Sequence, residues 1–356
     1  VVGIADGALH AELIGLGTNS CNLHMRFRMG PGSSEIANNN QWWHFCHRFP
    51  CCVAMRTKRY RGGSSPEAAR AWQTTLRSDL AATLRVGDLL ASNIALAPEI
   101  DHDSASGSFC GTVASTTVRR IELLGSLPSD PSPAPAVVCI HGHGGTRDST
   151  YERDSIYKGF ASELASIGFA TISVDVGQHE IFEEGRTLMG ERLWDLMRCL
   201  DYLEELSGVD SSRLGCAGLS LGGEMAMWLA AMDERIKTTV SSGFLTTMDQ
   251  MEANHCMCWK FDGLRELVDF ADIYALGAPR ALMCQNGMLE PETQFHVHLA
   301  QQAFTEIEPT YDDFDAREFL CLHIHPGGHE ISLNALLQFL SQHLSDDEIL
   351  SEEGAR

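Results

Sequence analysis

The sequence predicts an α/β fold in which a mostly parallel sheet carries helices on both faces. Three observations predict it. From about residue 134 onward, short apolar runs alternate with helix-length stretches. Those runs are apolar at consecutive positions, as strands covered on both faces are. A Gly-x-Ser-x-Gly sequence stands where one such run passes into a predicted helix.

Composition narrows the classes. The 356 residues are 44% hydrophobic and 8% aromatic, with 32 glycines, which describes a globular chain and excludes disordered, collagen-like and coiled-coil types. A net charge of −22 repels phosphate backbones and anionic lipid surfaces, so no nucleic-acid or membrane partner is expected. No apolar run approaches the ~18 residues of a membrane span. The 12 cysteines show no C-x-x-C pair, no N-x-S/T sequon occurs, and the first residues carry no basic segment ahead of an apolar stretch, so reduced thiols and a cytoplasmic location are expected.

The elements follow in order. Residues 1–65 are Gly-, Asn- and Cys-bearing without a sustained period, and read as a loop-rich N-terminal extension whose Trp42-Trp43 pair covers neighbouring apolar surface. Residues 66–130 begin with Pro66 at a helix start and Ala69, Trp72, Leu76, Leu80 and Leu84 on one face, then turn to antiparallel strands between Gly111 and Leu127. Residues 131–345 form the core, with strands expected at Ala136 to Ile140, Ala170 to Val176, Arg213 to Ala217, Lys237 to Ser242, Arg280 to Gln285 and Phe319 to Ile324. Helices are expected at Gly190 to Leu206 and Ile331 to Leu344, each with a leucine stripe. The alternation lapses at about 245–278, which reads as a cap-like insertion, and residues 346–356 are an acidic tail.

The chemistry concentrates at three places. In Gly218-Leu219-Ser220-Leu221-Gly222-Gly223 the serine sits on a sharp strand-to-helix turn, and the glycines avoid collisions there. His141-Gly142-His143-Gly144-Gly145 follows an apolar strand and suits an oxyanion hole, with backbone N–H donors from His143 and Leu221 worth about 3 kcal/mol each. A phosphate loop is disfavoured, because no Lys-Ser/Thr follows and Arg147 occupies the last glycine position of a dinucleotide fingerprint.

The base is His329, in Pro326-Gly327-Gly328-His329-Glu330 beyond the last strand; His323 and His325 lie on that strand and are expected to be packed or hydrogen-bonded. The acid should follow the penultimate strand, where Glu290 is the candidate and Glu292, across Pro291, its rival.

These segments resemble the serine esterases of the α/β-hydrolase fold, in particular the branch similar to dienelactone hydrolases and bacterial acetyl xylan esterases. The resemblance rests on His141 to Gly145, Gly185 to Arg192, Gly218 to Gly223, Ala278-Pro279-Arg280 leading to Asn286-Gly287, and Gly327-Gly328-His329, and runs from about Pro66 to Leu344. It implies Ser220, Glu290 and His329 as triad, with His143 and Leu221 as oxyanion donors. Dienelactone hydrolases carry cysteine at the nucleophile position, so Ser220 turns the expectation toward ester hydrolysis. Glu290 replaces the aspartate of many relatives.

The expected activity is a serine carboxylesterase acting on short-chain acyl esters through an acyl-enzyme, with no cofactor and a small-molecule ester as partner. Met257 and Trp259 are the expected pocket residues. No metal is expected: Asn254-His255-Cys256-Met257-Cys258 needs a further ligand from elsewhere, and the sequence indicates none. A sugar deacetylase, an amidase or peptidase, and a non-catalytic binding module are the alternatives, and a homo-oligomer is compatible with the sequence.

Overall fold

The computed structural model describes residues 56–130 and 132–345. The expectations for Trp42-Trp43, the greater part of the N-terminal extension and the acidic tail lie outside them. The described residues belong to one compact unit, Met55–Arg356. Its centre is a nine-stranded sheet in the order β1-β2-β3-β5-β4-β6-β7-β8-β9. β1 (Glu99–His102), β2 (Ser108–Ala114) and β3 (Arg120–Ser126) form an antiparallel flank that joins β5 (Ala170–Val174), also antiparallel. From β5 the sheet continues in parallel through β4 (Ala134–Ile140), β6 (Val209–Leu219), β7 (Ile236–Ser242), β8 (Ala281–Gly287) and β9 (Leu320–His325).

The central strands are apolar throughout because both faces are covered. On β4, Ala136, Val138 and Ile140 enter one core while Val137 and Cys139 enter the other, the period-two alternation of a pleated strand. The larger core is closed by α1 (Pro66–Leu84), α4 (Leu188–Glu205), α5 (Leu221–Met232) and α9 (Val297–Asp313). The smaller is closed by α3 (Phe160–Ser166) and α10 (Leu333–Leu344). A short α2 (Gly87–Leu90) follows α1. The stretch after β7 contains α6 (Met248–Asn254), α7 (Leu264–Leu267) and α8 (Phe270–Ala275).

Local chemistry sets the helix starts. Ser65 accepts the Ala68 N–H and Pro66 opens α1; Thr187 accepts the Gly190 N–H at the start of α4. Residues ahead of α1 are tied to the unit: Arg56 donates to Asp272 at 2.6 Å and to Glu306 at 2.6 Å, and the Tyr60 hydroxyl donates to Asp313 at 2.6 Å. β1 has no counterpart in the sequence reading, since its Glu-Ile-Asp-His pattern has one apolar residue and its side chains are mostly exposed. It is held by backbone pairing with β2.

Candidate active site

Four chain segments leave the carboxyl edge of the parallel strands together, the place where open α/β sheets bind ligands. Ser220 stands between β6 and α5 with φ 62° and ψ −122°, a strained conformation for a residue with a side chain. Its N–H donates to the Ser242 carbonyl at 2.9 Å, and its own carbonyl accepts from Glu224 N–H at 2.9 Å. A Cβ on Gly218 would lie 2.3 Å from the Gly222 carbonyl oxygen, and one on Gly222 would lie 2.1 Å from that of Ile140. The flanking glycines are therefore required by backbone approach.

His329 follows β9, and its Nδ1 is 3.0 Å from Glu290 Oε1 and 3.1 Å from Oε2. Two backbone bonds between the loops set this distance: Met288 N–H donates to the His325 carbonyl at 2.8 Å and Leu289 N–H to the Gly327 carbonyl at 3.0 Å. Glu290 is buried, whereas Glu292 is exposed. The structure thus brings Glu290, and not its rival, to the imidazole. The His329 ring also stacks on Phe295, centroids 5.5 Å apart at 18°. The other two histidines of this region are engaged elsewhere: His323 Nε2 pairs with Ser332 Oγ at 3.0 Å, and His325 Nδ1 accepts from Gly327 N–H at 3.2 Å.

The loop after β4 is equally fixed. His141 Nε2 accepts the Val176 N–H at 2.9 Å, so its proton sits on Nδ1 and is given to the Gly142 carbonyl at 2.8 Å. Gly142 N–H donates to the Tyr157 hydroxyl at 2.7 Å, and Gly144 N–H to Gln178 Oε1 at 2.9 Å. His143 is the next amide of the loop, and it has no such partner among the described residues. Leu221 is the first residue of α5, so its N–H has no carbonyl one turn back within the helix.

Ser220, His329, Gly142 and His143 line one cavity of about 490 Å³, with Ile156, Tyr157, Asn254, His255, Cys256 and Gln294 completing the wall. Met257 and Trp259 are corrections to the sequence reading. Trp259 is fully buried and packs its ring edge on Phe270 at 5.3 Å, and Met257 is exposed outside the lining. In a short 3₁₀ turn at 257–259 the apolar pair serves the core and the surface, while the polar residues just before it face the cavity. A larger cavity of about 630 Å³, lined in part by Asn93, Trp194, Arg198 and Arg235, shares no residue with this one and holds no serine–histidine pair.

Tyr157, Gln178, Phe295 and Gln294 were not legible as site residues, because each is a single side chain in a loop with no repeating pattern. The Gly185 to Arg192 segment now has a physical role. Glu191, buried in the first turn of α4, accepts from the Phe182 N–H at 2.9 Å and the Glu183 N–H at 2.7 Å. Arg192 donates to the carbonyls of Gly177, at 2.6 Å, and Gln178. Together they hold the loop after β5 against the Gly142–Gly144 turn.

Burial dominates the electrostatics here. It lowers His143 to about 4, with the positive neighbourhood of His255, Arg192 and His179 adding to the effect, so that this imidazole stays neutral. It raises Glu224, one turn into α5, to about 7. The sequence showed no ligand to join Cys256 and Cys258, but the structure supplies two: His143 from the loop after β4 and His179 from the loop after β5 lie beside both thiols.

Residues 135–258 match the family described as the alpha/beta hydrolase fold. The chain has the α/β-hydrolase fold. Among curated proteins, the chain is 34% identical over 129 residues to YtaP of Bacillus subtilis (strain 168), a provisionally named hydrolase, covering 30% of this chain and 42% of that protein. It is 28% identical over 124 residues to 2,6-dihydropseudooxynicotine hydrolase of Paenarthrobacter nicotinovorans, covering 35% of this chain and 32% of that protein. The chain therefore spans less than half the length of these curated relatives. Among solved structures, a provisionally named acetyl xylan esterase of Bacteroides fragilis NCTC 9343 superposes with a TM-score of 0.65 at 16% identity, covering 82% of this chain and 83% of that one. A glucuronoyl esterase of Teredinibacter turnerae T7901 superposes with a TM-score of 0.61 at 14% identity, covering 83% and 89%. At these identities the likeness is one of α/β-hydrolase fold. Among the described residues no helix is long and apolar enough to cross a membrane.

Proposed function

We propose that the protein is a serine carboxylesterase that hydrolyses short-chain acyl esters through an acyl-enzyme. The observation that carries the reading is the strained Ser220 sharing a cavity with His329, whose far nitrogen meets buried Glu290 at 3.0 Å. His329 takes the Ser220 proton as Oγ attacks the ester carbonyl, and Glu290 holds the tautomer and stabilises the imidazolium. The amides of His143 and Leu221 receive the oxyanion, aided by the positive end of α5. The alcohol leaves with the proton from His329, and water repeats the sequence to release the acid. No step calls on a cofactor.

The cavity wall favours a hydroxylated alcohol side, because the polar side chains of Asn254, His255 and Gln294 line the same cavity as the serine. An acetylated sugar is therefore the second reading, and the esterase names of the structural neighbours support it at the level of fold. A cytoplasmic setting belongs to the same proposal, supported by the eight unpaired cysteines among the described residues.

The test is reaction of the full chain with a fluorophosphonate followed by peptide mass spectrometry, alongside release of p-nitrophenol from acetate and butyrate esters. The adduct is expected on Ser220, and Ser220→Ala should lose turnover by about 10⁶-fold while remaining folded. Folded protein with no adduct and no serine-dependent release would instead be a binding module on this scaffold. Matched anilide substrates separate amidase from esterase, and acetylated against unsubstituted xylo-oligosaccharides test the sugar reading.

A further inference from the structure

Three loops converge at the rim of the cavity and bring four metal-binding side chains together. His143 comes from the loop after β4, His179 from the loop after β5, and Cys256 and Cys258 from the stretch after α6. One ligand atom of each lies within 4.8 Å of all the others. The pairs are tight: His143 Nε2 to Cys258 Sγ is 3.0 Å, His143 Nε2 to Cys256 Sγ is 3.6 Å, and the two sulfurs are 3.3 Å apart. Bonds of about 2.3 Å to sulfur and 2.0–2.1 Å to nitrogen give a tetrahedron with edges of roughly 3.3–3.8 Å, so His143, Cys256 and Cys258 already stand near it, and exposed His179 closes it by a side-chain shift of about 1 Å.

We propose that His143, His179, Cys256 and Cys258 form a Cys₂His₂ site for a zinc-type divalent ion. The donor set selects the ion: two thiolates and two imidazoles suit a borderline-soft tetrahedral cation, and the absence of a carboxylate from the set disfavours magnesium and calcium. On binding, two thiol protons leave to solvent and the ion's charge is balanced by the thiolates. A second observation supports the placement. Arg192, 1% exposed, gives Nε and Nη2 to the carbonyls of Gly177 and Gln178 and leaves Nη1 to neither, with its guanidinium beside Cys258, the position of an outer group that steadies a bound thiolate. His179 and Cys256 are exposed, which leaves an entry path.

Four protein ligands close the coordination sphere, so the ion is structural. It ties the insertion to His143, on the loop that lines the candidate oxyanion hole, and sets the width of the cavity mouth. The site shares His143 with the esterase reading but uses its imidazole and not its backbone N–H, and metal affinity is read without turnover, so the two proposals fail separately.

The test uses the full chain, freed of metal by a chelator and titrated with Zn²⁺ against a chromogenic chelator, then with Co²⁺ followed by absorbance. One ion per chain is expected, with thiolate-to-cobalt charge-transfer bands and visible bands of tetrahedral intensity. The Cys256→Ser/Cys258→Ser variant should lose at least about a hundredfold in affinity and His179→Ala at least about tenfold, with Ser220→Ala unchanged. Alkylation of the native chain, read by mass spectrometry, avoids any dependence on variant folding: Zn²⁺ should protect Cys256 and Cys258. Full alkylation at saturating Zn²⁺, octahedral cobalt bands, or unaltered affinity in the double variant would each overturn the site.

Discussion

Phe295 lies nearly parallel to His329, its ring centroid 5.5 Å away and its plane 18° off. Phe295 is itself held, since its carbonyl accepts from Asn286 Nδ2 at 2.9 Å. The imidazole is therefore fixed by a carboxylate at one edge and an aromatic face beside it. Phe295→Leu keeps the site apolar and should cost about 1–2 kcal/mol of stability. It should lower kcat by about tenfold with KM little changed, because misplaced reacting groups act on the chemical step. An unchanged kcat in steady-state ester hydrolysis would show that the stacking plays no positioning part.

The two acids flanking Pro291 should separate cleanly. Glu290 is buried against His329 Nδ1, and Glu292 points to solvent. Glu290→Gln keeps the shape but leaves a neutral amide where the imidazolium needs a carboxylate, so turnover should fall by about 10³–10⁴-fold. Glu292→Gln should stay within about twofold, as surface substitutions do. Ester hydrolysis with folding checked by circular dichroism reads both, and equal losses would remove Glu290 from the proposed triad.

The parallel half of the sheet was legible because its strands are buried on both faces and its helices carry leucine stripes, so both periods stand out in one chain. β4, β7 and β8 depart by only a residue or two from their expected bounds. β6 extends to Val209, which pairs with Ala134, through Asp210, Ser211 and Ser212, polar residues that fall in a register irregularity and carry no apolar signal. In the site, Ser220 was legible through Gly218 and Gly222, which backbone approach demands, and His329 through its place between the last strand and the last helix. Phe295, Tyr157 and the His143–His179–Cys256–Cys258 cluster were not, because their proximity is made by loops that sequence spacing does not describe. Trp259 misled for a related reason: an aromatic in an insertion reads equally as pocket wall or core, and burial alone decides.

Gly243 tests how closely the backbone approaches the base. It has φ +58°, and a Cβ there would lie 2.9 Å from His329 Cε1, 3.0 Å from Nδ1 and 3.2 Å from Glu290 Oε1. Gly243→Ala should therefore combine a left-handed backbone cost of about 1–2 kcal/mol with displacement of the imidazole, lowering kcat/KM by at least about tenfold. Gly185→Ala is the control, since Gly185 has φ +86° with nothing within 4 Å of the added carbon. It should share the loss of stability and keep the activity. Equal activities in the two variants would mean that the imidazole can yield without penalty.

Glu224 makes stability depend on pH. It is fully buried on α5, its Oε1 has no hydrogen-bond partner, and burial raises its pKa from 4.5 to about 7, against the opposing charge of Arg192. The folded chain then holds this proton where the unfolded chain has released it. The stabilisation is complete below about 4.5 and disappears as pH rises through about 7. A shift of this size corresponds to about 3 kcal/mol. Glu224→Gln cannot ionise, so it should match the native chain near pH 4 and exceed it in stability by about 1–3 kcal/mol at pH 8. Urea unfolding at the two values measures the difference. Identical pH slopes for the variant and the native chain would show that the Glu224 carboxyl is already ionised in the fold and that Arg192 outweighs its burial.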